Sequence, residues 1–176
     1  MKLLESQIDI LDKEKDMLNI NIICLGKIKE DYLKMAINEY SKRLSKYCNF
    51  TITELQDEKL PEKINDSIIA EIKTKECKKI INSLKKDSYV FALDLRGKQF
   101  SSEEFSKKID DIALNYNSSI TFIIGGTLGL NDEILALCNE KISFSKMTFP
   151  HQLFRVFLLE QIFRAFKISK GETYHW

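Results

Sequence analysis

Along this chain, short apolar runs alternate with longer stretches in which apolar residues return every three or four positions. INIICL (20–25) is a β-branched run ending at Gly26 and predicts a buried strand. Residues 31–46 carry Leu33, Ala36, Ile37, Tyr40 and Leu44 at helical spacing. TITEL (51–55) predicts a second strand. Pro61 is then suited to open a long charged helix with Ile64, Ile68, Ile72, Ile80, Ile81 and Leu84 as its buried stripe. YVFALDL (89–95) is a third strand, and Ser101 with Glu104 three residues on fits a capping box for the next helix. SITFIIGG (119–126) is the most apolar strand, Asn131 can cap a short helix, residues 141–144 make a last short strand, and Pro150 opens the final helix.

Strands alternating with helices predict an α/β domain with a mostly parallel sheet of about five strands and helices on both faces. The regular pattern runs from Asn19 to Trp176 and predicts a single domain, preceded by a charged extension (1–18) in which Met17 offers an alternative start. Ligands of such folds sit outside the carboxyl ends of the strands, which points to residues 93–98, 125–130 and 144–151.

Composition narrows the class. A chain of 176 residues with 44% hydrophobic and 30% charged residues is that of an ordinary globular protein, with no run long enough for a membrane span. The first 18 residues carry acids throughout and do not read as a secretory signal, so a cytoplasmic protein is expected. Cys24, Cys48, Cys77 and Cys138 lie far apart with only two histidines in the chain, which predicts neither a metal site nor a disulfide framework. Net charge is +1, but residues 141–176 hold six Lys/Arg against two acids, leaving 21 basic and 24 acidic residues elsewhere. A basic C-terminal end on a faintly acidic body is either chance clustering or a local footprint for a polyanion.

Each of the three strand-end regions has its own chemistry. Gly125, Gly126 and Gly129 follow the most apolar strand and let the backbone approach a ligand or form a tight turn. They do not complete a dinucleotide fingerprint, because Ile124 occupies the first glycine position. In FSKMTF (144–149), Ser145, Thr148 and the peptide groups can satisfy a planar heterocycle that Phe144, Met147 and Phe149 enclose. Only Lys146 is basic there, which suits adenine better than phosphate; an ordinary strand-to-helix connection is the plain alternative.

The final helix, HQLFRVFLLEQIFRAFKIS, is apolar all the way round, as a helix buried on two sides would be. A second subunit is the economical cover, so a C2 homodimer is expected. Arg155 falls among Leu158, Leu159, Ile162 and Phe166, so it must be ion-paired, internally or with Glu160 of the partner subunit, or must project into a site. The tail places Tyr174, His175 and Trp176 beside Lys167 and Lys170, a combination suited to stacking on an unpaired RNA base.

With these regions in view, the sequence resembles the small SPOUT-class methyltransferases that modify large-subunit ribosomal RNA at N3 of a pseudouridine. The matching stretches are CLGKIKE, LDLRGKQFSSEEF, FIIGGTLGL and ISFSKMTFPHQLFRVFLLEQIFRAFKISKGETYH, together covering Asn19 to His175. The resemblance implies a C-terminal trefoil knot, an obligate homodimer, S-adenosylmethionine held in the knot loops, and action on assembled ribosomes. Carried over by position, it implies cofactor contacts at Leu93, Gly125, Phe144, Ser145, Lys146, Met147, Thr148 and Phe149. Methyl transfer to an imide nitrogen needs no metal but must remove the N3 proton, for which His175 is the first choice, with Tyr174 and Arg155 as the other catalytic candidates. Arg164, Lys167 and Lys170 are the candidates for RNA backbone contacts. Three departures stand out: Trp176 where the family usually has a basic residue, Phe163 where tyrosine is common, and residues 1–18, which have no counterpart. Two other readings compete, a non-catalytic dimeric ribosome-binding factor and a nicotinamide-dependent oxidoreductase resting on the glycine loop.

Overall fold

The computed structural model describes residues 17–116 and 118–174, so most of the 1–18 extension, His175 and Trp176 lie outside the described residues. Five strands, β1 (Asn19–Leu25), β2 (Asn49–Leu55), β3 (Tyr89–Lys98), β4 (Ser119–Ile124) and β5 (Glu140–Ile142), form one sheet in the order β2-β1-β4-β3-β5. Every neighbouring pair is parallel. The connections carry helices α1 (Asp31–Leu44), α2 (Asp66–Ser83), α3 (Ser102–Asn115) and α4 (Asp132–Leu137), and α5 (His151–Ser169) follows β5.

Successive strand residues point to opposite faces, so continuous apolar runs supply two cores. Ile20, Ile22, Cys24, Phe91, Ile120 and Phe122 pack with side chains of α1, α3 and α5. Ile23, Leu25, Val90, Ala92 and Ile123 pack with α2 and α4. Three of the four cysteines are buried free thiols and Cys138 is a half-buried one.

Local signals set the helix starts. Ser101 and Glu104 form the reciprocal capping box of α3, and the Asn131 side chain accepts from the Ile134 amide at the start of α4. Pro61 does not open α2. The helix begins at Asp66, where the Asn65 side chain accepts from the Ile68 amide at 2.9 Å. An asparagine oxygen satisfies an orphan amide that a proline ring cannot, and the helix starts at the better cap. Ile64 is therefore outside the helix and exposed, and the buried face is Ile72, Glu76, Cys77 and Ile80.

Helix α5 lies on the sheet between α1 and α3, and buries Arg155, Leu158, Leu159, Ile162, Phe163, Ala165 and Phe166. Much of its all-round apolarity is thus used within one chain. Phe157 stays outward, 38% exposed.

Strand β3 meets Ile142 of β5 twice, at Leu93 and again at Lys98. The Ser143 amide donates to the Lys98 carbonyl at 2.9 Å. Between these contacts Gly97 lies against the Ile142 backbone so closely that a Cβ would fall 2.5 to 2.7 Å from its C, N and Cα atoms. Only glycine fits where β3 bends around β5.

Candidate cofactor cavity

The carboxyl ends of β3, β4 and β5 converge on one cavity of about 640 Å³. Leu93, Gly125, Phe144, Ser145, Met147, Thr148 and Phe149 all line it; of the residues carried over as cofactor contacts, Lys146 alone does not. The size is that of a small-molecule site, and the lining is mainly apolar with a few polar groups. Its aromatic wall is ordered, with Phe144 stacked on Phe154 at 5.1 Å and Phe149 edge-on to Phe157 at 5.3 Å. Ser143 Oγ donates to the Ser145 carbonyl at 2.9 Å, and the Met147 amide donates to Ser145 Oγ at 3.0 Å. These bonds fix the loop, leaving flat apolar faces and peptide edges suited to a heterocycle such as adenine.

The glycines serve first to fold their own loop. Gly129 has φ +72° and its amide donates to the Gly126 carbonyl at 3.0 Å, a tight turn. A Cβ on Gly125 would sit 3.1 to 3.2 Å from Gly129 and Leu130. The turn and one wall of the cavity are therefore the same piece of chain.

Arg155 is fully buried and its head does not line the cavity. Nη1 donates to Glu54 Oε1 at 2.6 Å, and Nη2 donates to the Leu25 and Gly26 carbonyls at 3.0 and 2.7 Å. Its ion-pair partner is thus Glu54 of the same chain, not Glu160, which is taken by Arg164, Gln161 and Tyr174. Glu54 also accepts from the Ile28 amide, and Gln152 accepts from the Lys29 amide, so the β1–α1 loop is tied to the first turn of α5. His151 lines the cavity from that turn, a residue to which the sequence reading gave no role. Its burial, with Arg155 nearby, holds its pKa below the usual imidazole range, so the ring is neutral at pH 7. The signal available beforehand was its position just after the cofactor loop, at the proline-led start of a helix.

The tail folds back along α5. Tyr174 Oη donates to Glu160 Oε1 at 2.8 Å, and the Arg164 guanidinium lies over the Tyr174 ring at 4.5 Å. Burial and the Glu160 carboxylate push the Tyr174 hydroxyl up to about 12, which keeps it a donor at neutral pH. Lys167 and Tyr47 both bond Glu172, at 2.6 and 2.7 Å, while Lys170 is exposed. A second cavity of about 450 Å³, with Phe100, Ser102, Phe157, Glu160 and Gln161 in its walls, shares Phe144, Ser145 and Phe149 with the first. Among the described residues no group of His, Cys, Asp and Glu side chains is placed to hold a metal ion.

A parallel sheet with a cavity over its strand ends and a clasped last strand defines a class that sequence comparison names. The chain belongs to the SPOUT methyltransferase family, whose model, described as a predicted SPOUT methyltransferase, matches residues 18–175. It is a methyltransferase, and the nicotinamide reading of the glycine loop falls. Among individual relatives, it is 61% identical over 158 residues to ribosomal RNA large subunit methyltransferase H of Clostridium acetobutylicum, covering 90% of this chain and 99% of that protein. Proteins with the same name from Clostridium botulinum (strain Eklund 17B) and Clostridioides difficile are 58% and 54% identical over the same share of each chain. A probable methyltransferase from Bordetella pertussis has a similar fold, with TM-score 0.56 and 10% identity over 89% of this chain and 99% of that one.

Proposed function

We propose that this protein transfers a methyl group from S-adenosylmethionine to N3 of a pseudouridine in large-subunit ribosomal RNA, as a cytoplasmic homodimer acting on assembled ribosomes. The observation that carries this reading is the convergence of three separate loops on one cavity in a chain 61% identical to a large-subunit RNA methyltransferase. The unit is a single domain from Asn19 to Trp176, with no role assigned to residues 1–18. A C-terminal trefoil knot, implied by the family, is part of this proposal. Among the described residues no helix is long and apolar enough to cross a membrane.

Leu93, Gly125 and the run from Phe144 to Phe149 would hold the cofactor, with adenine between apolar side chains and peptide edges. Lys146, outside the cavity lining, would act from its rim. When bound, the cofactor supplies an electrophilic methyl group, so the protein's task is alignment and proton removal. The second cavity shares a wall with the first, and we place the acceptor base there, beside Glu160. Tyr174, anchored on Glu160, sets the course of the tail, and His175 takes the N3 proton. Arg155 acts at a distance by holding the first turn of α5. Lys170 meets RNA phosphate directly, whereas Arg164 and Lys167 exchange Glu160 and Glu172 for it. The outward Phe157 and Phe149 are covered by the second subunit.

Two measurements test this. Calorimetric titration with S-adenosylmethionine is expected to show saturable binding. Labelled methyl transfer is expected to ribosomes whose RNA contains pseudouridine, and not to ribosomes lacking it. Transfer that ignores pseudouridine would sink the assigned acceptor, and efficient transfer to a naked RNA hairpin would sink the requirement for the ribosome.

A further inference from the structure

The cavity is apolar at its aromatic wall but carries one ion pair on the opposite side. Among the described residues that line it, Asp94, Arg96 and His151 are titratable, and with His151 neutral, Arg96 carries the positive charge of that lining. Arg96 is also held in place. Its Nε and Nη2 donate to the two oxygens of Asp94 at 3.0 and 3.2 Å, and its own amide donates to Asp94 Oδ1 at 2.8 Å. Asp94 has a side chain only 13% exposed, while that of Arg96 is 67% exposed. The second acid near it, Asp132, stands 3.9 Å from Nη2. Nη1 thus has no hydrogen-bond partner among the described residues.

A guanidinium fixed by a half-buried carboxylate, in the lining of a mainly apolar pocket, is arranged to receive an anion without first being ordered. Resting on the reading that S-adenosylmethionine occupies this cavity, the geometry points to the Asp94–Arg96 pair as the subsite for the cofactor's amino-acid end, with Arg96 reading the carboxylate. That carboxylate is the cofactor's only anion, and its neighbouring ammonium is the group that the remaining lone pairs of Asp94 would accept. The pair and the zwitterion match charge for charge. Asp94 stays ionised for this role, because the hydrogen bonds from Arg96 hold its pKa below the usual carboxylate range.

The test compares two ligands on wild-type protein and on Arg96→Ala, by calorimetry and without turnover. S-adenosylhomocysteine carries the amino-acid end; 5′-methylthioadenosine lacks it but keeps the adenosine. The substitution is expected to weaken S-adenosylhomocysteine about tenfold and to leave 5′-methylthioadenosine unchanged. Added salt is expected to weaken S-adenosylhomocysteine in the wild type more than in the variant. Equal weakening of both ligands, or of neither, would overturn the assignment. A wild type that binds 5′-methylthioadenosine but gains nothing from the amino-acid end would overturn it while sparing the cofactor reading. A wild type that binds neither ligand would remove both. Because Arg96 is largely exposed, the variant should fold, and an unchanged melting curve checks this.

Discussion

Arg155 and Glu54 stand 101 residues apart in the chain and meet at 2.6 Å, joining the end of β2 to the N-terminal part of α5. The guanidinium is fully buried and the carboxylate side chain is about one-third exposed. Removing the carboxylate would strand a buried cation. Glu54→Ala is expected to lower unfolding free energy by about 3 kcal/mol, the lower end of the range for broken buried pairs because water reaches Glu54. Glu54→Gln keeps acceptors for Arg155 and the Ile28 amide and should lose less. Urea midpoints of the two variants check the order, and a Glu54→Gln midpoint equal to that of the wild type would remove the charge from the explanation.

Gly97 is the second test of packing. Its Cβ position lies against the backbone of Ile142, which cannot rotate away as a side chain could. Gly97→Ala should therefore cost about 3 kcal/mol, at the upper end of overpacking penalties. It should also weaken cofactor binding, because Leu93 and Ile142 both line the cavity. An alanine variant with wild-type melting and binding would mean that β3 does not close so tightly on β5.

His151 gives a pH signature. Its pKa is lowered in the folded state from an ordinary 6.5, chiefly by burial and then by Arg155. Above 6.5 the ring is neutral in both states and has no pH-dependent effect. As pH falls below 6.5 the unfolded chain takes up the proton first, so stability declines until the folded pKa is passed. Thermal melts of His151→Asn between pH 7.5 and about 5 should lack this part of the decline. A wild-type slope in the variant would place the effect elsewhere.

Tyr174 separates tail placement from cofactor binding. Tyr174→Phe removes the hydrogen bond to Glu160 but keeps the ring under Arg164. The stability change should be about 1 kcal/mol. Under the role proposed for the tail, transfer to ribosomes should fall about tenfold. S-adenosylmethionine affinity should hold. If affinity falls in parallel with transfer, Tyr174 supports the cofactor cavity instead.

The sequence revealed some of these relationships and hid others for physical reasons. Strands in a parallel sheet are buried on both faces, so INIICL and SITFII announce themselves as apolar runs, and Asn131 and Ser101 mark their helices by local chemistry. The start of α2 was misjudged because Pro61 and Asn65 are both legitimate helix openers, and only the fold decides between them. The place of the cavity is legible because parallel strands deliver their carboxyl ends to one edge, so three distant loops can be assigned to one place. Arg155 was recognised as anomalous from its position on the helical wheel, yet its partner was not, since Glu54 lies in another strand and no local spacing relates the two. The tight fit of Gly97 against Ile142 was equally hidden, because a chain crossing leaves no periodicity behind.

The position of α5 has a consequence for how this protein is made. The helix supplies the cavity's His151 and Phe154 with one end and the buried Leu158, Leu159 and Ile162 with its middle. Until it emerges from the translating ribosome, the sheet face it covers is bare and the site has no far wall. A polypeptide that stops short of α5 therefore has neither the covered sheet face nor the closed cavity. The covered sheet face and the closed cavity come into being together, with α5.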